Sequence, residues 1–387
     1  MPERHGLDDT ASQSPACSRS LTPPPSRVAI RPYEPGDADG IARLRESVYP
    51  CRPEAHNVEW HRGLYAWLEA SDLADQMSRW VISAGGEVVG HLAAVPQRYR
   101  IAGRSVVAHT PADYMVLPKY GFHAIGLMRT LFRTSDNVVS CDWEPTVQVI
   151  ERRLGAEPTA TLRQFVKPLN LSKRPGLDAS KRLGAWVGAR AVQVGDAVFT
   201  AASRGAPATV PLEAFDASFD GLFERIARTI PASVQKDGAF LRWRYGPGSP
   251  QHPVTILGVR SGEELLGYVV LLIGEAKDGY VLDLMTVPGH RSVGVALLRD
   301  AVAHFWRAGA YLVRYRAADS AASPDSTTLR RMGFIDRTAG LPVPGLGPRK
   351  PFAMLVRLAD AREHAIAAEP ANWSYNVGDG EAGFWIR

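Results

Sequence analysis

Cysteine is scarce: Cys17, Cys51 and Cys141 are the only three in 387 residues. An odd number with no C-x-x-C spacing supports neither a disulfide scaffold nor a zinc site, and it points to a reducing compartment. Long apolar runs are lacking as well. The longest apolar stretch without a charge lies around Val269 to Gly274, far below the roughly 18 to 20 residues that a membrane span needs. Blocks of five or six like charges and aromatic-interleaved basic stripes are also missing. The 45 basic and 40 acidic residues leave a net charge of +5, which can attract anionic ligands without being a nucleic-acid signature. The opening residues Met1 to Ser26 contain no apolar signal core, so 1–26 is expected to be a flexible leader and the cytoplasm is the default location.

What is present fits a globular chain, with 45% hydrophobic and 22% charged residues, and the length favours two domains. Order is expected from Arg27, where Val28 and Ile30 alternate as a strand before the turn Glu34-Pro35-Gly36-Asp37. Asp37 or Asp39 then caps a helix carrying Ile41, Leu44 and Val48 on one face, and Trp60, Leu64, Trp67 and Leu68 mark a second helix. Trp80–Ala84 and Val88–Val95 read as a hairpin, Asp113–Leu117 as a strand, and Ile125, Leu127, Met128, Leu131 and Phe132 as a helix. A strand at Asn137–Ser140 and a helix at Thr146–Leu154, ended by Gly155, close a first unit near Leu169.

After a connector, the same order returns. A helix bears Phe219, Leu222, Phe223, Ile226 and Ile230; a hairpin pairs Thr255–Val259 with Leu265–Ile273; the strand Tyr280–Val287 ends at Pro288 before a helix with Leu297, Leu298, Ala301, Val302, Phe305 and Trp306. Asp113-Tyr114-Met115-Val116-Leu117-Pro118 matches Asp283-Leu284-Met285-Thr286-Val287-Pro288 at a constant offset of 170 residues, an internal repeat. The expected division is a leader at 1–26, domains at 27–170 and 212–360, a connector at 171–211 with at most a short helix, and a tail at 361–387.

The chemistry-bearing feature is Gly289-His290-Arg291-Ser292-Val293-Gly294-Val295-Ala296 at the mouth of a helix. Small residues there let backbone N–H groups approach a ligand closely, and the helix dipole favours an anion such as a pyrophosphate, to which Arg291 adds a charge-assisted contact. This loop is neither the dinucleotide fingerprint nor a P-loop.

Strand, Pro, [QR]-x-x-G-x-[GA], helix, strand, helix and a closing Gly-Phe, here Gly333-Phe334, resemble the GNAT N-acyltransferases. The opening Ile30-Arg31-Pro32-Tyr33 is similar to their first strand, and two copies resemble the tandem plan of mycothiol synthase, N-myristoyltransferase and the Fem aminoacyltransferases. The resemblance implies two α/β (α+β) domains, each a mixed, mainly antiparallel sheet flanked by helices, and acyl-CoA-dependent N-acyltransfer. It implies acetyl-CoA as co-substrate, no metal, and an amine on a small molecule or a sugar precursor as acceptor, with no nucleic-acid partner. A non-catalytic binding or scaffolding module and a Fem-like aminoacyltransferase are the alternatives.

The resemblance also assigns cofactor contacts. In the second copy they are Thr286, Val287 and Arg291 to Ala296. In the first copy they are Val116, Leu117, Gly121, Phe122, His123, Ala124, Ile125 and Gly126, a loop that keeps the small residues and lacks the side-chain donor. Which copy holds the cofactor stays open at this point: motif quality favours the second, family habit the first. Asp113 and Asp283 are the candidate bases, with a turn-capping or ion-pair role as the competing reading. The Tyr acid of many relatives is missing, since Ile150 and Leu329 stand near that place, and Tyr120, His123, Tyr280 and Tyr315 are the substitutes. Cys141 is expected to be a small buried hydrophobe, Phe240–Tyr245 an aromatic strand edge, and the tail Asn372–Glu381 a segment that packs across the domain junction or offers polar groups to an acceptor.

Overall fold

The computed structural model describes residues 28–50, 56–202, 205–339, 346 and 351–386; the expected leader at 1–26 lies outside them. The first half opens with β1 (Val28–Pro32), α1 (Ala38–Val48) and α2 (Val58–Glu69). Ile41 and Leu44 bury the expected face of α1. Asn57 caps α2 by accepting the Trp60 N–H at 2.9 Å, satisfying one of the donors a helix start leaves free. Two hairpins join β2 (Ser78–Ala84), β3 (Glu87–Ile101) and β4 (Arg104–Val116). β4 begins nine residues before the Asp113–Leu117 run expected from sequence. Its inward positions Val106, Ala108, Thr110 and Ala112 alternate correctly but are small or polar, so the period-2 signal is faint.

Next come α3 (Gly121–Thr134), β5 (Val138–Asp142), α4 (Pro145–Arg153) and β6 (Glu157–Pro168). The expected connector holds α5 (Ala179–Ala202), a helix of 24 residues in place of a short one. The second half contains β7 (Val210–Leu212), α6 (Ala217–Ala227), β8 (Ala232–Val234), α7 (Gly238–Tyr245), β9 (Thr255–Ser261), β10 (Glu264–Ile273) and β11 (Gly279–Thr286). It continues through α8 (Arg291–Arg307), β12 (Leu312–Ala317), α9 (Ser326–Arg331), β13 (Ile335–Asp336), β14 (Phe352–Arg357), α10 (Ala361–Ala368), β15 (Trp373–Ser374) and α11 (Glu381–Phe384). Phe240–Tyr245 is thus helical, not a strand edge: Asp237 accepts the Phe240 N–H at 2.8 Å, and Leu241 and Tyr245, four residues apart, share the buried face.

The strands run along one path, β1-β2-β3-β4-β5-β14-β6-β12-β11-β10-β9-β7. The halves exchange strands to build it. β14 sits in the sheet of the first half, between β5 and the start of β6. The end of β6, Arg163 to Pro168, sits in that of the second half, antiparallel to β12 and to β13. Helices flank this mixed, mainly antiparallel sheet. The C-terminal segment is a strap across both halves: β15 pairs with β8, which pairs with β3, and Trp373, Asn376 and Asp379 are buried. Trp67 and Trp243 add a stacked contact between the halves, with ring centroids 4.5 Å apart; each indole N–H donates to the other residue's carbonyl.

Candidate active site

In each half a parallel pair of strands separates and leaves a cleft in front of a helix N-terminus. β11 and β12 share only the pairs Gly279↔Val313, Tyr280↔Arg314 and Val281↔Tyr315 before parting. β4 and β5 share the single pair His109↔Val138.

The second cleft is filled by the strap. Asn376 Nδ2 donates to Asp283 Oδ1 at 3.0 Å and to the Leu284 carbonyl at 3.3 Å, and the Ala318 N–H donates to the Tyr375 carbonyl at 2.8 Å. Where a Cβ on Gly378 would sit, the Leu282 carbonyl oxygen is only 2.6 Å away, so the strap is packed hard against β11. At the cleft mouth the Thr286 N–H bonds to the Ala322 carbonyl at 3.0 Å. Asp283 is fully buried. Lys236 Nζ bonds it at 2.7 Å and Asp379 at the same distance, and the Tyr268 hydroxyl donates to it at 3.0 Å. These two carboxylates outweigh the burial penalty and hold the Lys236 ammonium charged, above the ordinary lysine range. Asp283 is therefore a sealed ion-pair anchor and has no route to a substrate proton.

Of the residues expected to cradle a cofactor there, Thr286, Val293, Gly294 and Ala296 are buried, Val287 and Val295 half-buried, and Arg291 and Ser292 exposed. A cavity of about 330 Å³ remains in front of α8. Arg291 spans its rim toward Asp325 at 3.3 Å with its side chain 85% exposed.

The first cleft is different. Asp113 sits on a bulge in β4, where the register against β3 shifts between His91 and Ala93, and its φ of 53° lies in the left-handed region that non-glycine residues rarely occupy. Its carboxylate fixes this shape. Arg45 donates to Oδ2 at 2.5 Å and the Tyr65 hydroxyl at 2.8 Å, and His91 Nδ1 lies 3.1 Å away. Burial pushes the Asp113 carboxyl up, but Arg45 and His91 outweigh it, and the group stays well below the usual carboxylate range. A carboxylate so stabilised makes a poor base. What the bulge offers is the Asp113 N–H, turned out of the ladder and met by Glu381 Oε1 at 3.4 Å.

Glu381, at the start of α11, is a carboxylate that the sequence places in the tail segment Asn372–Glu381 without a role of its own. It keeps partial exposure, and the Trp385 indole donates to its Oε1. Burial first, and then the negative charges of Asp142 and Asp113, push its carboxyl up to about 8 against the pull of those two donors. Asp142, where β5 ends, is likewise raised, mainly by burial. Behind it Glu151 is fully buried, bonded by the Ser140 hydroxyl at 2.9 Å and raised by burial to about 8.

The rim is half-exposed, with Tyr114, Val116 and Leu117 on the β4 side, Asp142, Trp143 and Glu144 on the β5 side, and His123, Ala124, Ile125 and Gly126 on α3. Gly121 is exposed, with nothing within 4 Å of where a Cβ would stand; Gly126 lies close enough to Ile30 that a Cβ would approach it at 3.0 Å. Phe122 is 88% exposed. Cys141 is a buried free thiol raised by burial, as expected of a small core residue. Tyr315 is buried in the second core, away from the first cleft. Among the described residues no group of three or more side chains could hold a metal ion, and no helix is long and apolar enough to cross a membrane.

Two exchanged, splayed sheets with a helix N-terminus at each splay define the tandem GCN5-related N-acetyltransferase (GNAT) fold. No family model matches this sequence, and no curated protein matches it. Among solved structures it is similar to a GCN5-related N-acetyltransferase from Anabaena variabilis, with a TM-score of 0.53 and 15% identity over 89% of this chain and 75% of that one. A tandem GNAT protein from the clavulanic acid biosynthesis pathway gives 0.50 and 13% over 86% and 99%. Saccharomyces cerevisiae N-myristoyltransferase with bound myristoyl-CoA gives 0.50 and 11% over 91% and 89%.

Proposed function

We propose that the chain is an acyl-CoA-dependent N-acyltransferase whose working site is the first cleft, with the second half as its scaffold. The observation that carries this reading is the contrast between the clefts. Protein backbone packs the second, whereas the first ends on a bulge N–H and a carboxylate poised near neutrality. Acyl-CoA suits the chemistry available: the first cleft holds the bulge N–H of Asp113, which the Glu381 side chain meets at 3.4 Å and a ligand carbonyl can take over, and small residues at the mouth of α3 leave room for a diphosphate. The bound myristoyl-CoA of the yeast neighbour supports the same co-substrate class. Acetyl is the acyl group we favour, and an amine on a small molecule or sugar precursor the acceptor.

Coenzyme A supplies an activated thioester. The Asp113 N–H donates to the carbonyl oxygen as negative charge develops there. Glu381 takes the ammonium proton of the acceptor, and a carboxyl near 8 is matched to that task at neutral pH. The free amine attacks, the C–N bond forms as the C–S bond breaks, and the second nitrogen proton ends on the departing sulfur. Asp113 itself positions, through Arg45 and Tyr65.

Thermal denaturation of the full chain with acetyl-CoA tests the reading. A ligand at 100 times its Kd adds about 2.7 kcal/mol, and Ala124→Trp, which fills the mouth of α3, removes that gain. No shift in the wild-type chain, or a shift indifferent to Ala124→Trp, refutes the assignment to the first cleft.

A further inference from the structure

A cavity of about 210 Å³ opens between α1 and α2, beside β2. Among the described residues, Arg45, Arg62, Arg79, His56 and His61 line it against one carboxylate, Glu69. Arg79 is built into the wall: its guanidinium lies between the rings of Tyr33 and Tyr65, 3.7 Å from each centroid, a stacking that holds the planar cation in one orientation. Its side chain is only 9% exposed, and Glu69 reaches no closer than 4.0 Å. The Arg79 Nε is buried with no hydrogen-bond partner among the described residues, and leaving a buried charged donor unmatched is costly. The neighbouring cations are committed, Arg45 to Asp113 and Arg62 to Glu59 at 2.7 Å and Asp39 at 3.7 Å.

We infer that this cavity seats an anionic group, a carboxylate or a phosphate, carried by the amine that the first cleft acylates. The inference rests on the acyltransferase reading above. Arg45 and Tyr65, two of the cavity walls, donate to the carboxylate of Asp113, whose own N–H meets Glu381. A third wall, His61, has its ring centroid 5.8 Å from that of Trp385, whose indole bonds Glu381. A single layer of side chains thus separates the seat of the anion from the carboxylate that accepts the proton. Arg79 supplies the fork geometry that carboxylates and phosphates accept in two parallel bonds, so the acceptor is recognised by its acid end and reacts at its amine end.

Isothermal titration of the full chain with inorganic phosphate, and separately with succinate, tests this. Saturable binding of at least one probe is expected, and the tighter one tells a phosphorylated acceptor from a carboxylated one. Arg79→Gln weakens that binding about tenfold or more, while Arg62→Gln changes it by less than about threefold. Glu69→Gln removes the competing carboxylate at an exposed position and tightens binding about threefold. The proposal is overturned if neither probe saturates or if Arg79→Gln binds like the wild-type chain. Should Arg79→Gln fail to fold, an unchanged affinity in Glu69→Gln overturns it instead. The acetyl-CoA shift is recorded on the same samples: its loss with anion binding intact refutes the acyltransferase reading alone, and the converse refutes the anion seat alone.

Discussion

The two clefts descend from the same sequence repeat and differ in what occupies them. The second has the better loop, with Arg291 and a cavity before α8, yet the strap from Tyr375 to Asp379 packs its splay. The first lacks a side-chain donor in its loop, and α11 lies against both β4 and β5, its Glu381 Oε1 meeting the Asp113 N–H at 3.4 Å. The paired aspartates, by contrast, have stayed alike. Each accepts a tyrosine hydroxyl and a buried cation, Tyr65 and Arg45 at Asp113, Tyr268 and Lys236 at Asp283. The repeat has therefore kept an anchor for the strand, while catalytic capacity depends on what the rest of the chain lays into the splay.

The comparison is broken most severely by separating its parts. Residues 28–202 expressed alone lack β14, and the second half alone lacks the end of β6; neither is expected to give a cooperative unfolding transition by circular dichroism. Next in size is Lys236→Met, which leaves Asp283 and Asp379 buried without their cation. A loss of about 3–5 kcal/mol is expected in urea denaturation, together with loosening of the strap from the second cleft.

A pH effect sharpens the view of the first half. Glu151 and Glu381 titrate near 8 when folded and near their ordinary value when unfolded. The folded state thus binds more protons over that window, and stability present at pH 4 to 5 is lost as pH rises toward 8. Glu151→Gln removes one such group and flattens the dependence by about 1.4 kcal/mol per pH unit; an unchanged slope would count against its burial as a neutral acid. The smallest effect belongs to Arg291→Ala. Its side chain is exposed and its ion pair with Asp325 is long, so stability moves by less than about 0.5 kcal/mol and the acetyl-CoA shift is retained. Loss of that shift would return the cofactor to the second half.

Much of this plan is legible in the sequence. The repeat at Asp113–Pro118 and Asp283–Pro288, both loops and the hairpins follow from periodicity and turn chemistry, and the aromatics and acids of the tail leave its packing across the junction as one of two readings. Strand exchange does not, because alternation fixes which face of β6 or β14 is buried but not which neighbour it pairs with. α5 was obscured by its glycines, Gly184, Gly188 and Gly195, which weaken a helical reading. Glu381 carries no motif: its role arises from a contact with Asp113 across 268 residues, and only the fold brings them together. Arg79 lies just outside the strand Trp80–Ala84 expected from sequence, and its setting arises only where the fold brings Tyr33 and Tyr65 onto it.

Exchange of β6 and β14 also bears on how the protein is made. When β6 has been synthesised, the slot beside β5 stays vacant until β14 emerges roughly 180 residues later, on the order of 10 to 40 seconds at ribosomal speed. Throughout that interval the nascent chain exposes two bare strand edges, which invite pairing with other chains. Yield in cells is accordingly expected to respond to translation rate and chaperone supply more than to the stability of the finished molecule.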